Sequence, residues 1–259
     1  MQAAPALGLR ATPSFDPLHD AVDIELSAGS TVQSRLFAAI PERQNSRVEF
    51  DGRLLTGPDL EFLKTTFRPD AQLMLLDSAA QKERLLEATV GAQRIQRANR
   101  ALLEETRRWM RFNASEAVAA GDGLYTGCTG LPDTPHWLGA ALLSWSFRSN
   151  VTNDLGRLVR SSSGIAVLAS PRSDSPAQWI ELGRVYERFA LGTTAVGART
   201  SMLNQAIGVA DVRRHLAAQL GLQGREPALI VRFGYGPLMP RSLRRPLDSV
   251  IRSDATSLA

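Results

Sequence analysis

The sequence contains one cysteine, Cys128, three histidines and only two lysines, Lys64 and Lys82. One cysteine excludes an internal disulfide and any multi-cysteine metal centre. His19, His136 and His215 are scattered and show neither paired-ligand nor HExxH spacing, so no histidine metal site is indicated. Cys128 lies in a glycine-rich stretch with no histidine in the same motif, which argues against a nucleophile. No apolar run approaches the ~20 residues a membrane helix needs. The opening MQAAPALGLRATPS lacks the charged-then-apolar layout of a secretory signal, so the chain reads as cytoplasmic. Three tyrosines and no tract of five or more basic residues argue against nucleic acid as a partner, despite a net charge of +4.

What remains is an arginine-rich globular composition. Of 30 lysine and arginine residues, two are lysine and 28 therefore arginine. Apolar residues at 44% and charged residues at 22% over 259 positions suit one large domain or two small ones. Along ERLLEATVGAQRIQRANRALLEETRRWMR the arginines alternate with acids, the pattern of a solvated helical face. Two clusters depart from it: RQNSR (Arg43 to Arg47) and MPRSLRRPL (Met239 to Leu247). Guanidiniums suit bidentate phosphate binding, and clusters this far apart meet on one ligand only through a fold. Taken singly, each also fits a solvated basic loop.

The spacing predicts strands at 22–28, 71–77, 164–170 and 227–236. Helices are expected over 31–40, from a Thr56 cap with Pro58, from Ser78 through Met110 with an interruption at Gly91, and over 136–147. A further helix opens at SDSPAQW, with Asp174 or Ser175 as cap, and ends at Gly197; ARTSMLNQ then forms a strand and loop, and VADVRRHLAAQLG the last helix. Gly183, Gly192 and Gly197 suggest close packing against a helix or flat ligand. Residues 120–135 (AGDGLYTGCTGLPDTP) read as a mobile loop. Gly121, Gly123 and Gly127 do not fit the dinucleotide fingerprint, and strands mix with helices without a βαβ rhythm, which favours α+β.

From 160 to 251 the run strand, helix, ARTSMLNQ, helix, PALIVRFGYG, PRSLRRPL resembles the FMN-dependent nitroreductase family, and the resemblance extends over roughly 31–259. It is nearest to a subgroup of nitroreductase-like proteins with two fused half-units. It implies a three-layer α+β fold with a mainly antiparallel central sheet flanked by helices. The family's Arg-x-Ser-x-Arg/Lys loop, which holds the flavin phosphate and pyrimidine edge, is similar to Arg43-Gln44-Asn45-Ser46-Arg47, with Asn45 in the serine place. Arg47 then lies beside flavin N1 and O2, where a cation stabilises the reduced ring. Arg244 and Arg245 before Pro246 match the family's phosphate-gripping cluster, with Arg241 nearby. Asn204 and Gln205 occupy the loop that faces the ring near N5, but the family's acidic-Gly pair is absent.

The resemblance implies non-covalent FMN, NAD(P)H as reductant, a nitroaromatic, quinone or similar small-molecule acceptor, and no protein nucleophile. A non-catalytic flavin-binding or flavin-sequestering protein is the alternative on the same fold, and a basic interaction protein a third reading. Residues 1–30 resemble the tail of a first half-unit, with 31–259 the nitroreductase-like domain. The chain thus looks N-terminally shortened, and a homodimer is expected to complete the pocket. Loop 120–135 is a candidate lid.

Overall fold

A computed structural model describes residues 1–66, 72–148, 153–171 and 175–251. In chain order the elements are α1 (Ala3–Ala6), β1 (Leu9–Asp16), β2 (Ala21–Ala28), α2 (Arg35–Ala38), α3 (Gly57–Thr65), β3 (Gln72–Leu76), α4 (Ala79–Arg97), α5 (Arg100–Trp109), β4 (Met110–Arg111), α6 (Ala114–Ala120), β5 (Leu124–Tyr125), α7 (His136–Arg148), α8 (Asn153–Arg160), β6 (Gly164–Pro171), α9 (Pro176–Ala195), β7 (Arg199–Met202), α10 (Ala210–Gln219) and β8 (Arg225–Gly234). They divide into two compact units, Met1–Ile95 with Thr152–Pro237, and Gln96–Val151 with Leu238–Ala259.

The first unit is built on a four-stranded sheet in the order β3-β6-β8-β7, every pair antiparallel. β6 and β8 are central and covered on both faces, which is why GIAVLA reads as a continuous apolar run rather than an alternating one. Side chains alternate between two cores. Ile165, Val167 and Ile230 join Leu85 and Leu86 of α4, Val159 of α8 and Leu216 of α10. Ala166, Leu168, Val231 and Phe233 join Leu63 of α3 with Val185 and Phe189 of α9. Helices on both faces of a mostly antiparallel sheet make the expected three-layer α+β architecture. Burying each Leu, Ile, Val or Phe contributes about 1.5–3 kcal/mol, so these two cores hold the layers together.

Local signals account for most boundaries. Thr56 caps α3 through Asp59 N at 3.3 Å, with Pro58 in the first turn. Ser78 Oγ accepts from Gln81 N at 3.3 Å at the start of α4. Gly197 adopts φ +79° just past α9, the left-handed stop that glycine takes without strain. Among the α9 glycines, a Cβ on Gly192 would lie 2.8 Å from Thr66 Cγ2, so this residue permits close packing on the end of α3; around Gly183 there is open space. Ala71 and Asp174, named above as strand start and cap, lie outside the described residues. Ser175 caps α9 by position without a side-chain hydrogen bond.

One boundary differs from expectation, and two elements arise where no element was expected. The long helix breaks not at Gly91 but at Asn99, whose Oδ1 accepts from Ala101 N at 3.0 Å and Leu102 N at 3.3 Å and starts α5 afresh. β1 pairs with β2 in a hairpin although Pro13 stands inside it; in a two-stranded ribbon the missing N–H costs little. α8 forms over NDLGRLVR despite Gly156, held by Leu155 and Val159 in the core rather than by propensity. Residues 1–30, read as a remnant tail, form α1 and the hairpin and group with the first unit.

In the second unit α5 packs against α7. Asn113 and Glu116 form a reciprocal cap on α6: Glu116 N donates to Asn113 Oδ1 at 2.9 Å, and Phe112 N to Glu116 Oε2 at 3.0 Å. The 120–135 stretch contains β5 and a 3₁₀ turn, Thr126–Thr129. Tyr125 Oη donates to Asp133 Oδ1 at 2.5 Å, and Thr126 Oγ1 to Phe112 O at 3.2 Å.

Candidate functional site

The first arginine cluster lies along the free edge of β7. Ser46 N donates to Thr200 O at 2.9 Å, and Asn45 forms a parallel bridge with Thr200, so RQNSR continues the sheet by one short extended segment. Extended backbone sends successive side chains to opposite sides. Ser46 is fully buried, its hydroxyl without a hydrogen-bond partner among the described residues, while Asn45 and Arg47 are exposed and Arg43 is half-buried. The alternation therefore presents Arg43, Asn45 and Arg47 outward and turns Ser46 inward.

Each outward residue is placed differently. Arg43 Nε pairs with Glu187 Oε1 of α9 at 2.9 Å. Asn45 Oδ1 accepts from Tyr186 Oη at 3.1 Å and from Thr200 Oγ1 at 3.0 Å. With its oxygen doubly engaged, the Asn45 carboxamide offers its NH₂ donors to a ligand. No ion pair or side-chain hydrogen bond to a described residue engages Arg47.

Beneath the loop lies a residue the motif reading did not single out. Arg232 of β8 is 1% exposed, and its Nη2 donates to Ser46 O at 3.1 Å and to Val48 O at 2.8 Å. Its guanidinium sits 4.3 Å from the Phe50 ring centroid. Burial pulls its pKa down to about 10, which the more distant Glu49 partly offsets, and it stays cationic at neutral pH. A lone charge inside the apolar run PALIVRF was the available signal. The loop's far end is fixed as well: Phe50 N donates to Ser161 Oγ at 3.2 Å, and Asp51 N to Tyr235 O at 2.9 Å. Gly234 and Gly236 of the FGYG run leave room for the Phe50 ring, since a Cβ on either would lie 2.9 or 2.8 Å from its carbons.

Asn204 and Gln205 form a 3₁₀ turn directly after β7, tethered to the strand that carries Thr200. Asn204 Oδ1 accepts from Ile230 N at 2.8 Å and so binds this turn to β8; Gln205 is half-buried. Arg241, Arg244 and Arg245 belong to the second unit and are exposed; Arg244 Nη1 donates to Ser242 Oγ at 2.5 Å, within its own segment. The structure thus sets Asn45 and Ser46 against Thr200 of β7, with Arg43 and Arg47 in the same loop, and places Asn204 and Gln205 in the turn that follows that strand; Arg241, Arg244 and Arg245 belong to the other unit. Among the described residues no group of three or more His, Cys, Asp or Glu is arranged to hold a metal, and no helix is long and apolar enough to cross a membrane.

No protein-family profile matches the sequence, and no curated protein matches it. Solved structures do. The FMN-dependent nitroreductase NfnB from Mycobacterium smegmatis, in complex with NADPH, superposes with TM-score 0.56 at 16% identity, over 85% of this chain and 97% of that one. A nitroreductase with bound FMN from Bacteroides fragilis gives TM-score 0.51 at 13% identity, covering 85% and 100%. A BluB-like flavoprotein from Clostridium difficile gives 0.53 at 12%, covering 85% and 99%. This is the nitroreductase fold. At such identities the likeness speaks for the fold alone, and nearly the whole nitroreductase-fold chain of each is spanned.

Proposed function

We propose that this chain is an FMN-dependent oxidoreductase of the nitroreductase type, with NAD(P)H as reductant and a nitroaromatic, quinone or similar flat molecule as acceptor. The observation that carries the reading is the pinned loop, which turns two guanidiniums and a carboxamide NH₂ outward on this fold. That donor set suits an anion and a carbonyl-rich ring: Arg43 with a phosphate, Asn45 and Arg47 with phosphate or pyrimidine oxygens. Asn204 and Gln205 supply the turn beside the ring. Bound FMN supplies the hydride transfer itself. The chain's residues then need only bind and orient it, with Arg47 placing positive charge at the pyrimidine edge.

Flavin binding without turnover is the second reading, favoured by one observation. The Asn204–Gln205 turn, assigned by resemblance to the ring's N5 side, lacks the family's acidic-Gly pair. NAD(P)H oxidation by the flavin-loaded protein, with and without a nitro acceptor, separates the two: acceptor-dependent oxidation supports the enzyme, and its absence from a flavin-binding protein supports sequestration.

The chain also reads as a homodimer. One face of the hairpin is wholly apolar, with Ala11, Pro13 and Phe15 opposite Leu26, Ile24 and Val22. Val22, Ile24 and Leu26 are exposed. An isolated two-stranded hairpin is marginal in water, so a cover for this face stabilises it.

A further inference from the structure

Arg232 is an expensive residue to keep. An arginine in a dry interior without an acidic partner loses hydration that backbone acceptors only partly replace, and no ion pair to a described residue neutralises this one; Glu49 acts on it only at longer range. Its acceptors are backbone oxygens: Ser46 O, Val48 O and, at 3.5 Å, Leu158 O. The first two flank Arg47 on either side and are held by the same nitrogen. Both carbonyls therefore turn toward Arg232, and the 46–47 and 48–49 peptide units, one on each side of the Arg47–Val48 bond, cannot rotate without breaking a charge-assisted hydrogen bond. Phe50, stacked on the same guanidinium and seated over Gly234 and Gly236, closes the arrangement.

We infer that Arg232 is a positioning residue: it fixes the backbone on both sides of Arg47 and so presents that side chain, in one orientation, to an anionic, carbonyl-rich ligand. Its effect on binding runs through Arg47 rather than beside it. The binding part of this inference rests on the flavin reading; the ordering of the loop does not.

The test uses the full chain with Arg232→Met, Arg232→Lys, Arg47→Ala and the Arg232→Met/Arg47→Ala pair. Hydrogen exchange without ligand is read on residues 43–50 against β6, and FMN dissociation constants are measured for all variants. Arg232→Met is expected to lose protection in 43–50 while β6 keeps it, and to weaken FMN about tenfold; Arg232→Lys recovers part of both. Because the two residues act as one unit, the double variant binds no more weakly than the weaker single one, whereas independent residues would multiply their losses. Unchanged exchange in 43–50, or multiplied losses, overturns the inference. Should methionine prevent folding, Arg232→Lys, which keeps the charge and loses the fork, carries the same comparison. If the wild type fails to bind FMN while Arg232→Met still loosens the loop, the flavin reading falls and the positioning role stands.

Discussion

Asn45 takes the serine place in the resemblance to the nitroreductase loop, and its contacts show how a longer side chain is held there. A serine hydroxyl is short and both donates and accepts; Asn45 reaches Tyr186 and Thr200 with its oxygen and keeps its NH₂ outward. Tyr186→Phe removes one of those two anchors, and a partly ordered Asn45 is expected to weaken FMN by a few-fold, on the order of 1 kcal/mol. A flavin titration of the variant checks it. The glycines at the loop's base make a sharper case. Gly234→Ala places a Cβ against the Phe50 ring and near Ser163 N, with no flexible tip to yield. A loss of about 1–3 kcal/mol in chemical denaturation is expected. The motif reading found the outward residues because their spacing is a pattern. It passed over Arg232, Tyr186 and Thr200 because a pinning contact between distant strands has no local spacing to recognise.

At the level of elements, strands buried on both faces and helices with caps were legible. GIAVLAS and PALIVRFGYG are continuous apolar runs, and Thr56, Ser78 and Gly197 mark ends by local chemistry. The misses had local reasons too. Asn99 was overlooked in favour of Gly91, though a side-chain cap ends one helix and begins another more decisively than a helical glycine. Asn99→Ala should therefore cost about 1 kcal/mol and lower the helical signal of α5, measured by thermal unfolding and circular dichroism. The tie between α4 and α8 is an ion pair, Arg160 to Glu83, at 2.7 and 2.9 Å. The Arg160 hydrogen bonds hold the Glu83 carboxyl below its ordinary value of 4.5. A depressed carboxylate contributes stability that is present above its unfolded pKa and is lost as pH falls through the folded one. Glu83→Gln should flatten the acid limb of the stability curve below about pH 4.5 and leave it unchanged near neutrality apart from a constant offset.

For the molecule as a whole, the mixing of strands and helices pointed to α+β, the resemblance to the nitroreductases implied the three layers, and the superpositions agree with that fold. The grouping into two units did not follow, because contact density between segments far apart in sequence leaves no trace in composition. The hairpin was half seen: its second strand alternates, but the first is masked by Pro13. Its apolar face leads to an assembly prediction. Sedimentation equilibrium should return twice the chain mass, and Ile24→Asp, at an exposed position, should return the chain mass without loss of secondary structure. A wild-type monomer with bound FMN contradicts the dimer.

The central claim is that the loop from Arg43 to Arg47 binds flavin. Titrating the purified chain with FMN, and following flavin fluorescence, tests it most directly. The wild type should bind at one site per chain, and Arg47→Ala should weaken binding at least about tenfold, as expected for a charge-assisted contact worth roughly 1.5–3 kcal/mol. No binding by the folded wild type, or equal binding by wild type and Arg47→Ala, contradicts it.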